Sequence, residues 1–364
     1  MRHDTSSTFL AGTKAAMKGV PPRRRRLLAL TTAALVAPAL LTACGSDTPA
    51  KTSSGLTVVT VGSGGNIFDM PLRVADANGY FKKQGLQVKF ATLTAATGPS
   101  SLQSGSVQFL NDSPTGFVAA LSKKLPEIAV SADGSGNPLG LAVSKKFAQE
   151  HNLTADSPAA TVAKALKGST GGASSANTKA EAGIFLKNQG VDSSQVKWVS
   201  LPSPAADKAA LKSNQIDWFV TSEPIPLQIQ SDGDGVVVVD STKAPEWSAE
   251  QAGYGQLVVT QKSYATGHAD IVRKFVAAVQ QGTAYLNSHL GADNDKTVLA
   301  VARKALPGVP DDVLRSSLQQ VDWPTTGTMK ASDWVKTQAF VESIGALPDG
   351  TELTADDWTN KYLP

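Results

Sequence analysis

The chain has 364 residues, of which 34 are basic and 31 acidic, with 41% apolar side chains, four histidines and a single cysteine. Seven basic residues but only one acidic residue, Asp4, precede that cysteine, Cys44; the remainder holds 27 basic against 30 acidic groups, a net of −3, and implies no nucleic-acid partner. A lone cysteine excludes a disulfide framework and a thiolate metal cage, and His151, His268 and His289 lack ligand or triad spacing, so no metal, cofactor or catalytic centre is expected.

In chain order, Arg23–Arg26 come first, followed by an apolar run from Leu27 to Leu41 that is broken by Pro38. At ~1.5 Å per residue the run covers about 22 Å, short of the ~30 Å hydrocarbon core, so it reads as a cleaved leader and not a resident span. Leu41-Thr42-Ala43-Cys44-Gly45 resembles a lipobox. That resemblance implies acylation of Cys44, cleavage before it, and a lipid anchor on the extracytoplasmic face of the cell membrane. The general secretory and twin-arginine routes both stay open. A signal peptide over 1–43 and a flexible tether over 44–54 are therefore expected, because GSDTPAKTSS has little apolar surface to bury. The roughly 310 residues beyond exceed what one core usually supports, which predicts two lobes.

Leu56–Val61 reads as a strand leading into Gly62-Ser63-Gly64-Gly65, with Pro71 near the first turn of the next helix. An internal echo follows. QVKFATLTAATGPSSLQSGSVQFLNDSP, from Gln87, is nearly repeated as QVKWVSLPSPAADKAALKSNQIDWFVTSEP, from Gln195. Leu102 matches Leu211, Gly105 Asn214, Val107 Ile216, Phe109 Trp218 and Pro114 Pro224. Each copy predicts a strand, a helix ended by Gly or Asn, and a second strand, so the two lobes should be built alike. Thr178 and Glu181 have capping-box spacing before a helix ending near Gly190. Beyond Gly255 a strand over 256–260 gives way to helices, the first with a stripe of Ile271, Val272, Phe275, Val276 and Val279. Further helices are predicted over Lys296–Ala305, Asp311–Gln319 and Ser332–Ile344.

Right-handed crossovers leave a crevice at the carboxyl ends of the strands, so ligand contacts are sought in the loops just after strand ends. In the first half these are Asn66 and Phe68, Thr97, then Asn111, Asp112, Ser113 and Thr115; in the second, Ser174, Ser175, Asn177 and Thr178, then Ser222 and Glu223, with Tyr254 after them. Helix capping requires the same Ser, Thr and Asn at the same places, and Phe68 could equally be packing.

Gly79-Tyr80-Phe81-Lys82-Lys83-Gln84-Gly85-Leu86, Leu102 to Phe109, Ile216-Asp217 leading to Glu223-Pro224, and Ala269 to Phe275 together resemble solute-binding lipoproteins of ABC importers. The branch is that serving nitrate, sulfonate, taurine and thiamine-precursor pyrimidine uptake; Ala269 stands where proline is usual. The resemblance implies an α/β, two-lobed periplasmic-binding-protein fold (type II) with two crossovers, near Leu139–Ser144 and Tyr254–Val259. Lobe I would then hold 55–142 plus 257–364, and lobe II 143–256. It further implies a monomer that captures one small organic solute, sulfonate- or taurine-like or pyrimidine/aromatic, and hands it to permease and ATPase subunits. A surface sensor or adaptor could use the same clamp; a thiamine-precursor synthase would need a cysteine-rich motif and an active-site histidine absent here. Arg73 is the one arginine near a nominated loop, and Asp112 or Glu223 would repel an anion by about 1–4 kcal/mol at 4 Å. A neutral or cationic solute therefore stands beside a sulfonate, and nitrate is disfavoured.

Overall fold

The computed structural model describes residues 49–94, 97–291, 294–345, 347 and 351–364. The leader, Cys44 and the first part of the expected tether lie outside these. Residues 50–54 depart from that tether. Gly55 turns the chain with φ 82°, and Val58 N–H donates to the Ala50 carbonyl at 2.8 Å, so this stretch folds back along the first strand.

Ten strands are described: β1 (Thr57–Ser63), β2 (Leu86–Thr92), β3 (Phe109–Asp112), β4 (Glu127–Ser135), β5 (Leu139–Ser144), β6 (Thr170–Ala173), β7 (Lys197–Ser200), β8 (Trp218–Ser222), β9 (Gly235–Val239) and β10 (Tyr254–Gln261). They form two sheets, ordered β2-β1-β3-β10-β4 and β7-β6-β8-β5-β9. In each, four strands run one way and one runs against them, β10 in the first and β5 in the second. In each case that strand enters from the other half of the chain, so the sheets share one plan with their visitors exchanged.

The echo in the letters is an echo in the hydrogen bonds. Gln108, just before β3, accepts from Thr60 N–H through Oε1 at 2.8 Å; Asp217, just before β8, accepts from Thr170 N–H through Oδ2 at 2.7 Å. Gly105 and Asn214 both take positive φ, 74° and 56°, where the preceding helix ends. Leu102 and Leu211 are buried beneath.

The chain changes sheets at 136–138, immediately ahead of β5, and returns through residues 240–253 to β10. The two passages touch: Gly136 N–H donates to the Gly253 carbonyl at 3.0 Å and Asn137 N–H to the Trp247 carbonyl at 2.8 Å. The helix Ala331–Ser343 lies across both halves. Its Trp334 packs in the cluster of Phe117 and Tyr254, while Phe340 and Val341 join the core under the second sheet. The exposed edge of β4 is covered by later chain, with Ala129 N–H donating to the Asp357 carbonyl and Ala132 N–H to that of Gly327.

The apolar stripe of 271–279 is buried as its spacing predicts, on a helix of 21 residues, Ala269–His289; Phe275 stacks on Phe109 with centroids 3.8 Å apart. Helices Lys296–Ala305 and Asp311–Gln319 match their expected bounds, and Ala331–Ser343 does so within one residue. No helix among the described residues is long and apolar enough to cross a membrane.

Candidate functional site

At the first crest, β1 ends at Ser63 and the chain turns through Asn66, whose Oδ1 accepts from Phe68 N–H at 3.0 Å and caps the following turn. Phe68 is 5% exposed, packs edge-on to Trp323 and belongs to the core of the Met70–Ala77 and Asp311–Gln319 helices. Next to it, Asp69 Oδ2 accepts from Ser63 Oγ at 2.8 Å and Gly65 N–H at 3.0 Å. Burial raises the Asp69 pKa, against the pull of Ser63 and Arg73. Arg73 is occupied as well, its guanidinium 3.6 Å from Asp69 and 3.9 Å above the Phe90 ring centre.

Where β3 ends, Asn111 reaches back beneath this turn. Its amide nitrogen donates to the Phe68 carbonyl at 3.0 Å and lies 3.4 Å from Asp69 Oδ1. Both neighbours are acceptors, which fixes the amide orientation and leaves Oδ1 buried without a partner. Asp112 Oδ1 accepts from Ser113 N–H at 2.8 Å, and Ser113 Oγ caps the Pro114–Ser122 helix through Gly116 N–H at 3.1 Å. Burial raises the Asp112 pKa to about 7. Thr115 is buried on the first turn of that helix; Thr97 is exposed and bonded to Thr94.

At the second crest Ser175, not Thr178, is the N-cap of the helix Ala176–Asn188. Ser175 Oγ accepts from Thr178 N–H and Thr178 Oγ1 from Ser175 N–H, both at 3.1 Å, a capping box one turn earlier than its Thr178–Glu181 reading. Residue 178 satisfies the reciprocal role with a hydroxyl, so Glu181 is not needed there. Ser174 and Asn177 are half-buried beside it. Glu223 follows β8 and is 1% exposed; its Oε2 accepts from Leu227 N–H at 3.1 Å and lies 3.5 Å from Ser317 Oγ, joining this crest to the Asp311–Gln319 helix. Its pKa is pushed up to about 8, chiefly by burial. Tyr254 is buried, with its hydroxyl accepting from Lys330 N–H at 2.7 Å and its ring against Trp334.

Two adjoining cavities open here. A polar recess of about 150 Å³ is lined by Ser63, Asn66, Thr94, Asn111, Asp112 and Gln256. Beyond Pro99, which borders both, a larger cavity of about 760 Å³ is lined mostly by apolar groups of the first lobe, such as Ala119 and Leu125, with Gln103 and Thr115 of the same lobe and Asn177 of the second crest. The structure thus gathers Asn66, Asn111, Asp112 and Ser113 round the recess and Thr115 and Asn177 round the larger space. Phe68, Thr97, Ser174, Ser175, Glu223 and Tyr254 line neither. A third concavity, of about 740 Å³, follows the Ala176–Asn188 helix against Ser343–Gly345 and takes no lining from the first crest.

The sequence reading passed over Asp133 on β4, wholly buried with neither carboxylate oxygen paired, whose pKa is raised well above the ordinary value by burial and then by the nearby Asp69 charge. Its signal was an acid inside the small, apolar run Ala129 to Gly134. Gln256 was passed over as part of a strand. Among the described residues no group of three or more His, Cys, Asp or Glu is placed to hold a metal ion.

Comparison with solved structures shows the same architecture. The chain is similar to the periplasmic aliphatic sulphonate binding protein SsuA from Escherichia coli (TM-score 0.65, 15% identity, 84% of this chain and 98% of that one). It is also similar to the periplasmic nitrate-binding protein NrtA from Synechocystis PCC 6803 (TM-score 0.62, 15% identity, 81% and 83%) and, at TM-score 0.58 and 15% identity over 84% and 97%, to the desulfurization enzyme DSZB. The fold is therefore the two-lobed α/β periplasmic-binding architecture. No curated protein matches the sequence significantly. The sequence profile described as "NMT1/THI5 like" matches residues 67–289, more than half of the chain, and this chain belongs to that family.

Proposed function

We propose that the chain is the extracytoplasmic solute-binding component of an ABC importer, capturing one small organic solute between its lobes and presenting it to the membrane permease. The observation that carries this reading is the 760 Å³ cavity, which is lined by residues 99–104 and 115–125 of the first lobe and by Asn177 of the second crest, and adjoins a polar recess. SsuA and NrtA, with the same fold, are named as binding proteins, which supports binding over catalysis here. In this reading the passages at 136–138 and 240–253 serve as the hinge between a first lobe of sheet β2-β1-β3-β10-β4 and a second of β7-β6-β8-β5-β9. A thermal-shift screen of sulfonates, pyrimidines, amines and aromatic acids on the purified chain should return at least one solute that calorimetry finds bound with micromolar or tighter affinity, about 8 kcal/mol. A screen of every charge class that returns nothing sinks the reading.

The lipid anchor on Cys44 belongs to the same proposal. Cys44→Ser should move the protein from the membrane fraction to the soluble extracytoplasmic fraction and abolish incorporation of labelled fatty acid. A variant that stays membrane-bound would show that something other than Cys44 holds it.

A further inference from the structure

We propose that the polar recess is a seat for a positively charged, hydrogen-bond-donating head group, an amine or amidine, whose apolar body fills the adjoining cavity. This rests on the reading of the cleft as a solute site and names the solute's class.

The lining fixes the polarity. Asn111 is 5% exposed, and because its amide nitrogen faces the Phe68 carbonyl and Asp69, the group it turns elsewhere is an acceptor, Oδ1, which nothing in the chain satisfies. A buried acceptor without a donor calls for a donor from the solute. Beside it stands the Asp112 carboxylate. Among the described residues that line the recess none is lysine or arginine, and the residues between Thr94 and Thr97 are both alanine by sequence. The larger cavity has Lys123, exposed at the far end of the Pro114–Ser122 helix.

An oxyanion would ordinarily seek the N-terminus of that helix, where free N–H groups and the helix dipole favour negative charge. Here, above about pH 7, the chain supplies its own anion. Asp112 Oδ1 takes Ser113 N–H, Ser113 Oγ takes Gly116 N–H, and the carboxylate lies over Gly116, where a methyl group would come within 2.8 Å of Oδ2 and closer still to Oδ1. The place of a sulfonate at this terminus is filled, and a second anion would meet Asp112 head-on. Glu127, wholly buried at the start of β4, already feels the Asp112 charge. A cation entering the recess meets the Asp112 carboxylate, and beside it Asn111, whose enclosed oxygen has no partner in the chain. The 760 Å³ space beside it, lined by Pro99, Ala119, Ala120 and Leu125, suits an aromatic or aliphatic body.

The test compares matched probes of one shape and three charges, with Asp112 ionised at about pH 8.5: benzamidine and benzylamine, benzyl alcohol, and benzenesulfonate, titrated by calorimetry into the wild-type chain and into Asp112→Asn. The cations should bind at least tenfold more tightly than the alcohol or the sulfonate, and Asp112→Asn should erase that preference while leaving the unliganded melting temperature within a few degrees. The charge preference of the wild-type chain needs no variant and stands even if Asp112→Asn folds poorly. Preference for the sulfonate, cation binding unchanged in Asp112→Asn, or no binding by any of the four would overturn the inference. Only an empty result from the wide screen would also remove solute binding itself, so the two failures are distinct.

Discussion

Glu223→Gln should make the chain more stable, and the gain should grow with pH. Glu223 is almost fully enclosed where the second crest meets the Asp311–Gln319 helix; Oε2 is hydrogen-bonded, but Oε1 has no partner. Burial raises its pKa to about 8, against about 4.3 for an exposed glutamate. Below about pH 4 the residue is protonated in both folded and unfolded chains and contributes no slope. Between there and pH 8 the unfolded chain ionises while the folded one keeps its proton, so stability falls by up to ~1.4 kcal/mol per pH unit; above pH 8 the loss is complete and constant. Glutamine is the neutral form made permanent, with an oxygen still able to accept from Leu227 N–H and Ser317. Denaturant unfolding should show the variant near wild type at pH 4.5 and about 2–4 kcal/mol more stable at pH 8.5. A difference independent of pH would mean that Glu223 is ionised in the folded chain.

Gly253→Ala should cost roughly 2–5 kcal/mol, among the larger losses a single methyl can cause here. Gly253 adopts φ 71° and ψ −127°, a region nearly closed to residues with a Cβ. The added methyl would lie 2.7 Å from the Asp333 carbonyl oxygen and 3.0 Å from Thr337 N, so the Ala331–Ser343 helix would have to move. That helix also holds the returning chain, since Thr337 Oγ1 accepts from Tyr254 N–H at 3.0 Å, and the Gly253 carbonyl is the acceptor for Gly136 on the outward passage. One substitution therefore strains both passages and the element that spans the halves. Gly267→Ala, at the end of the Lys262–Gly267 helix with open space around it, is the control and should be near neutral. A Gly253→Ala midpoint equal to wild type would show that the passages are not clamped as described.

How much of this could be read from the letters depended on whether the physics was local. Helix bounds at Lys296, Asp311 and Ser332 were legible because Pro310 and the apolar spacing act within one or two turns. The paired plan of the sheets was legible because Gly105 and Asn214, or Gln108 and Asp217, do the same local job in each copy. The resemblance puts the outward crossing near Leu139–Ser144; the change of sheet comes just ahead of it, at 136–138, and the strand that begins at Leu139 already belongs to the second sheet. The turn signals sit just before it, at Gly134, Gly136 and Pro138. The crests were found by strand-end grammar, but not the duties of their residues. Phe68 meets Trp323, Tyr254 meets Lys330 and Glu223 meets Ser317, all far along the chain, so no local rule separates packing from an open contact. Asn111 is the converse case. By its letters it is one more strand-end asparagine, and the fold supplies the reason it matters, two acceptors that pin its nitrogen and leave its oxygen unmatched.

The claim that one solute is shared by both crests is tested most directly by calorimetry of the best-binding solute on two variants, Asp112→Lys on the first lobe and Asn177→Trp on the second. One molecule should bind per wild-type chain, and each substitution alone should weaken it at least tenfold. Full affinity retained in either variant would place the solute on a single lobe, or outside the cleft, and contradict the account.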